Sequence, residues 1–375
     1  MAIPHHAQAD LNNSGTQVAP SDIAARIAPH QVFFPSEWHQ QSGVQLTWPH
    51  SNTDWCYILP EVTDCYIHMA CEIALREPLL IVTPEPDRVR QLLEPHMPSH
   101  IMSRVHMVAC DTDDTWARDH GFITLLGRDG PVLLDFRFNG WGMKFAAHHD
   151  DCINRKVFEQ GILRGTYTNC LDFVLEGGSI ESDGAGTMLT TSQCLLSAGR
   201  NEYLGKEQIE ARLKAQFHVE RVLWLDYGYL AGDDTDSHID TLARLCPDNT
   251  ITYVKCTDTT DEHYEALFMM EQQLQTFRTA EGKPYRLIPL PMPQAEYDED
   301  GQRLPATYAN FLVINGAVIV PTYNNRYKDA EAMEAIRSAY PGREIIGIDA
   351  RVLIRQHGSI HCCTMQFPAG VLNIV

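Results

Sequence analysis

The chain is short of positive charge. Its 375 residues carry 29 Lys and Arg against 49 Asp and Glu, a formal net charge of −20. Binding nucleic acid needs a basic face that neutralises phosphates, so this balance argues against a nucleic-acid partner. It suits solubility, or a cationic small substrate drawn in by a negative field. No apolar run is long enough to span a bilayer, so no membrane association is expected. The stretch MAIPHHAQADLNNSGTQVAPSD has neither the basic start nor the apolar centre of a secretory signal, and a cytoplasmic address is the expectation. Eleven cysteines include no CxxC pair. An odd, scattered count reads as reduced thiols rather than a disulfide framework. There is no HExxH and no cysteine quartet for zinc, and no GxGxxG or P-loop lysine for phosphates. Neither a metal nor a cofactor is expected.

Linkers rich in Ser, Gly or Pro are missing as well. Residues 1–30 read as a flexible polar arm and 31–375 as one catalytic domain. Within it, short apolar strands alternate with amphipathic helices: strands at 44–48, 79–84 and 105–110, helices at 65–78, 87–96, 205–217, 261–282 and 328–340. Asp129-Gly130, Asp183-Gly184 and Asn315-Gly316 each sit between apolar runs and mark hairpins. About five such strand–helix–strand units fit after residue 40, which favours one α/β domain of repeated units.

Four stretches hold the chemistry-bearing residues. GSIHCCT (358–364) places Cys362 and Cys363 behind His361. A thiol becomes a nucleophile when a histidine, a cation or a helix N-terminus activates it. A cysteine in an apolar strand is more often packing, and if 359–366 is a strand, Cys362 and Cys363 face opposite sides. DTDSHID (234–240) sets His238 and Asp240 two apart, hence on one side of an extended segment. Asp233 and Asp234 before them read as a solvated acidic loop. In LEGGSIESDG (175–184), Glu176 precedes Gly177 and Gly178, which permit close backbone approach. DTDDTWARD (111–119) offers Trp116 and Asp119, an aromatic face and a carboxylate of the kind a planar cation wants. One cysteine, one histidine and three carboxylates exceed the needs of an acyl-transfer triad. They suit a guanidinium, which has five N–H donors in a plane and stays charged at neutral pH.

At this point the chain resembles the agmatine deiminase and bacterial peptidyl-arginine deiminase family of the guanidino-group modifying, or pentein, superfamily. The resemblance rests on FPSEWHQQSGVQLTWPHS, DTDDTWARDHGFI, FNGWGMKF, LEGGSIESDGAGTMLTTSQCLL, GDDTDSHIDTLARL and GSIHCCTMQFP, in family order from residue 33 onward. It implies a five-bladed pseudo-symmetric α/β propeller and cofactor-free hydrolysis of a guanidinium to a ureido group and ammonia. It implies Cys362 as nucleophile, His238 as general acid and base, Asp119, Glu176 and Asp240 as guanidinium ligands, and Trp116 in the substrate channel. Agmatine is the expected substrate, with peptidyl-arginine or free arginine as the alternative, and a homodimer is the expected assembly. A guanidinium-binding propeller without catalysis is the reading from a different class. The chain departs from the family in reading His357-Gly358-Ser359-Ile360 before His361-Cys362, and FNGWGMKFAAHHDD in an outer loop. Both departures bear on substrate identity.

Overall fold

Reversals at residues that tolerate a left-handed backbone divide the chain into like units. Asn315-Gly316 joins Leu312–Ile314 to Ala317–Thr322 with Ile314 opposite Ala317, and Gly316 takes φ +77°, as a two-residue hairpin turn requires. Asp129 precedes Gly130, and Ile123–Gly127 pairs antiparallel with Gly130–Arg137. Ile180–Ser182 pairs likewise with Thr187–Thr191. A fourth hairpin, Ala243–Cys246 with Thr250–Lys255, was not read from the sequence. Its turn residues Asp248 and Asn249 both have positive φ.

The computed structural model describes residues 32–373, and the expected N-terminal arm lies outside the described residues. Among these residues the strands form five small sheets. In four of them the hairpin is followed by a helix and then a third strand, which returns parallel to the hairpin's second strand. These third strands are Thr166–Val174, Arg221–Leu225, Arg286–Pro291 and Glu344–Asp349. The intervening helices are Ile153–Glu159, Lys206–Phe217, Tyr264–Thr276 and Arg326–Ala339.

The remaining sheet follows the same rule with its first strand taken from far along the chain. Thr364–Pro368 pairs antiparallel with Gln41–Thr47. That strand runs parallel to Leu79–Thr83, after the helix Leu59–Arg76, and Val105–Ala109 is added outside. Apolar helix faces pack on the sheets: Val62, Tyr66, Met69 and Ile73 of Leu59–Arg76 are buried with Leu46, Ile81 and Val320 in one core.

Three local expectations change. Cys362 and Cys363 are not on a strand, because the closing strand starts at Thr364. Turn hydrogen bonds Cys363 N to Ser359 O and Thr364 N to His361 O hold residues 359–364 bent. WARD is not extended either, since Ala117–His120 is one helical turn. His238 caps a second single turn, Ile239–Leu242, so the period-two argument for His238 and Asp240 fails although both turn inward.

Candidate active site

Each of the five sheets sends its entry segment to one place. The turn Ala117–His120 precedes strand 123–127 and carries Asp119. Glu176 and the turn Gly177–Ser179 precede strand 180–182, and Ile239–Leu242 with Asp240 precedes 243–246. Asn310 precedes 312–314, and Cys362 precedes 364–368. A helical turn at the mouth of a strand is short and tightly hydrogen-bonded, so it places its side chain on a rigid element.

Cys362 is buried, with its Sγ 3.3 Å from Asn310 Oδ1 and 3.9 Å from Asp240 Oδ2. The same Asn310 oxygen accepts from His361 N at 3.0 Å and Cys362 N at 3.2 Å. Asn310 thus ties the fifth sheet's entry to the turn bearing the thiol. Asp240 Oδ2 also meets His361 Nδ1 at 2.7 Å, and His361 Nε2 meets Glu37 Oε1 at 2.6 Å. On the other wall, His238 Nδ1 lies 3.6 Å from Asp119 Oδ1, and His238 Nε2 lies 4.0 Å from Glu176 Oε2. Asp119 is aimed by Gly178 N at 3.1 Å and by Trp141 Nε1 at 2.9 Å. Arg200 Nε reaches both Glu176 oxygens, at 2.9 and 3.1 Å.

Gly178 shows how closely these groups converge. A Cβ there would stand 2.7 Å from His238 Nδ1, 2.9 Å from Asp119 Oδ1 and 3.1 Å from Asp240 Oδ2. Both ring nitrogens of His238 and Asp240 Oδ1 are buried without a hydrogen-bond partner. Buried polar atoms of this kind normally have partners; here the Cys194 thiol lies beside His238, close to Glu176.

Cys362, Asp119 and Trp116 open onto a cavity of ≈150 Å³, also lined by Asp54, Asp114, Trp141, Phe145, Asp234 and His357. His238, Glu176 and Asp240 are fully buried and stand against this lining rather than in it. Asp114 fixes the aromatic wall, accepting from Trp116 Nε1 at 2.9 Å and Trp55 Nε1 at 3.2 Å. Gly358 is needed at the opposite edge, because a Cβ would fall 2.1 Å from the Trp116 ring. The Asp234 side chain is 42% exposed, as a solvated loop carboxylate would be, and also lines the cavity, whereas Asp233 braces its loop through Thr235 N and Ser237 N.

Burial, then the Asp240 and Asp119 carboxylates, push the Cys362 thiol well above the usual thiol range. Burial acts against protonation of His238, but Asp119, Cys194 and Glu176 outweigh it and raise His238 to about 10. Burial raises Asp119 to about 6 despite the opposing pull of His238. Burial would raise Asp240 too, yet the hydrogen bond and charge of His361 hold it below the ordinary carboxylate value. In the free protein at neutral pH, then, the cysteine is a thiol facing an imidazolium–carboxylate pair.

The sequence profile of the Porphyromonas-type peptidyl-arginine deiminase matches residues 33–368. The chain belongs to this family. An agmatine deiminase of Pseudomonas putida is 31% identical over 363 residues, which cover 90% of this chain and 95% of that protein. A Porphyromonas gingivalis structure provisionally named an arginine deiminase is 51% identical at a TM-score of 0.86, covering 91% of this chain and all of that one. A cysteine-to-serine variant of C. jejuni agmatine deiminase with substrate bound is 38% identical at a TM-score of 0.83, covering 90% of this chain and 96% of that one. The α/β fold with five sheets expected from the motifs is therefore the pentein fold of this family.

Asn310, Arg200 and Trp141 are site neighbours that reading the sequence did not single out, and His361 was read there only as the residue before Cys362. Asn310 could have been found by asking which residue enters the strand before Asn315-Gly316. Arg200 and Trp141 carried no local signal beyond the stretches they sit in.

Proposed function

We propose that this enzyme hydrolyses the guanidinium of agmatine to N-carbamoylputrescine and ammonia, in one catalytic unit spanning residues 31–375 and without a cofactor. The observation that carries the substrate choice is the cavity lining. It contains Asp54, Asp114, Asp119 and Asp234 and neither Lys nor Arg. A dication fits such a lining, whereas the α-carboxylate of free arginine would meet like charge. Lys144, on the segment with Trp141 and Phe145, is tied to Asp234 O at 2.7 Å and Asp236 Oδ1 at 2.8 Å. Among the described residues no helix is long and apolar enough to cross a membrane.

In this reading Asp119, Glu176 and Asp240 hold the guanidinium plane in front of Cys362, with Trp116 along the aliphatic chain. The bound cation offsets the carboxylates that disfavour the thiolate, so the thiol releases its proton to solvent when substrate binds, while His238 stays an imidazolium. Cys362 Sγ then attacks the guanidinium carbon. The tetrahedral adduct breaks its C–N bond, and His238 supplies the proton with which ammonia leaves. Water attacks the resulting S-alkylthiouronium carbon, and His238 takes the water's proton. The C–S bond breaks with its electron pair returning to sulfur. The hydroxyl loses its proton to solvent to give the ureido carbonyl, the sulfur regains the proton it had released, and the departed ammonia takes up the other as ammonium.

A second reading, deimination of arginine, follows from the name carried by the 51% identical structure. Ammonia release from agmatine, free arginine and a blocked arginine peptide separates the two. Agmatine is expected to give the highest kcat/KM, and a higher value for either arginine substrate would replace the reading. Cys362→Ser should bind agmatine and release no ammonia above background. Full turnover in that variant would remove the covalent mechanism.

A further inference from the structure

Beside the cavity, and taking no part in the chemistry above, three donor side chains meet. Asp113, His148 and His149 bring one ligand atom each to within 4.8 Å of one another. His148 Nδ1 lies 3.9 Å from Asp113 Oδ2, and the two imidazole centroids are 3.7 Å apart with a 46° tilt. Asp113 comes from the segment that continues into Asp114 and Trp116. The histidines come from the segment that carries Trp141 and Phe145. The cluster therefore joins two walls of the cavity.

The backbone already holds these segments in register. Asp150, which is buried, accepts from Asp113 N at 2.8 Å and Asp114 N at 3.0 Å. In return Asp113 Oδ2 accepts from His149 N at 2.6 Å. These bonds fix the Asp113 carboxylate and the backbone from which both imidazoles project, so the three donors start close together.

We propose that Asp113, His148 and His149 bind a divalent cation of the zinc type and that the bound ion clamps the 111–116 and 138–149 segments together at the cavity rim. Two imidazoles and a carboxylate are a donor set suited to Zn²⁺ and its neighbours, with a fourth position left for water. Tetrahedral geometry with bonds of about 2.0–2.1 Å sets donor atoms about 3.3 Å apart. The 3.9 Å gap between His148 Nδ1 and Asp113 Oδ2 thus closes with a small side-chain rotation. The half-buried carboxylate supplies the negative charge. His148 is exposed and His149 partly so, which leaves an entry path and makes both replaceable without loss of the fold. The site is separate from Cys362 and His238, and the ion enters no bond-making step.

The experiment titrates full-length, chelator-treated protein with Co²⁺ as a spectroscopic stand-in for Zn²⁺, beside His148→Ala/His149→Ala. Wild type is expected to bind one equivalent more than the double variant. The difference spectrum should show the visible ligand-field bands of a nitrogen and oxygen set, without a thiolate charge-transfer band. Equal stoichiometry in the two proteins, or thiolate character in the extra equivalent, would overturn the site. The clamp is read separately by hydrogen exchange with and without Zn²⁺. Slower exchange of residues 111–116 and 138–149 in wild type alone supports it, and unchanged exchange there refutes it.

Discussion

Asn310 Oδ1 sits 3.3 Å from Cys362 Sγ while accepting the backbone N–H groups of both His361 and Cys362. One amide oxygen thus positions the turn that presents the thiol. Asn310→Ala takes this acceptor from Cys362 N, whereas His361 N keeps the Asn310 carbonyl at 3.2 Å. An orphaned buried N–H costs about 1–3 kcal/mol, and a nucleophile displaced by an ångström loses roughly 10²-fold in rate. The expected result is a lower Tm with kcat down about a hundredfold, read by calorimetry and ammonia release. Wild-type kcat in the variant would show that the turn is held without this oxygen. Asn310→Asp keeps the acceptor but adds charge beside the sulfur, so the rise of Cys362 alkylation with pH should move to higher pH.

Gly178→Ala tests the seat shared by His238, Asp119 and Asp240. Its φ is not in the left-handed region, so the backbone tolerates alanine and the only objection is the space between the three side chains. A methyl there would force apart His238, Asp119 and Asp240, the groups proposed to hold and process the guanidinium. Agmatine turnover should fall by about 10³-fold or more, well beyond the roughly 1–3 kcal/mol of stability that overpacking costs. Isothermal calorimetry should find agmatine binding lost. Retained binding would place the substrate elsewhere.

The titration directions give a pH profile. Asp119, raised to about 6, gains a proton as pH falls through that value and ceases to be an anion for the substrate. The kcat/KM curve should therefore drop below about pH 6. On the alkaline side the free thiol lies well above its ordinary value. Iodoacetamide should thus modify Cys362 slowly at pH 7 and progressively faster as pH rises past the normal thiol range. Rapid alkylation at neutral pH without substrate would mean that the thiolate forms before binding.

Cys363 is the neighbour that should not matter for turnover. It is fully buried in the main core with Tyr66 and Cys65 and is not among the residues that line the cavity. Cys363→Ala should keep more than half of the activity. Removing the sulfur should cost about 1–2 kcal/mol through the gap left behind, seen as a Tm lower by a few degrees. A large loss of kcat with little change in Tm would assign Cys363 to the chemistry instead.

Most of the frame could be read because hairpin dipeptides and apolar periods are local signals. Asp129-Gly130 and Asn315-Gly316 turn where their residues require it, and the helices at 206–217 and 326–339 keep close to their expected limits. The hairpin at 243–255 escaped notice because Asp248 and Asn249 supply positive φ without a glycine. The site was less legible in geometry than in composition. Trp116, Asp119, Glu176, His238, Asp240 and Cys362 do come together, but the strands imagined beneath them are single helical turns and a bend. Those turns depend on contacts from distant sheets, such as Asn310 on Cys362, which no local window contains. The Asp234 side chain is solvent-exposed as read, and only its place at the cavity, which depends on distant segments, was not legible.

The pairing of Thr364–Pro368 with Gln41–Thr47 has a consequence during synthesis. The sheet of Gln41–Thr47 lacks its antiparallel partner until the strand at 364–368 has left the ribosome, and the thiol that would react is only two residues ahead of that strand. A nascent chain with four sheets formed has the carboxylates and the imidazole but no nucleophile. A nascent chain shorter than 362 residues therefore cannot attack a cation, and translation delivers the reactive cysteine after its partners.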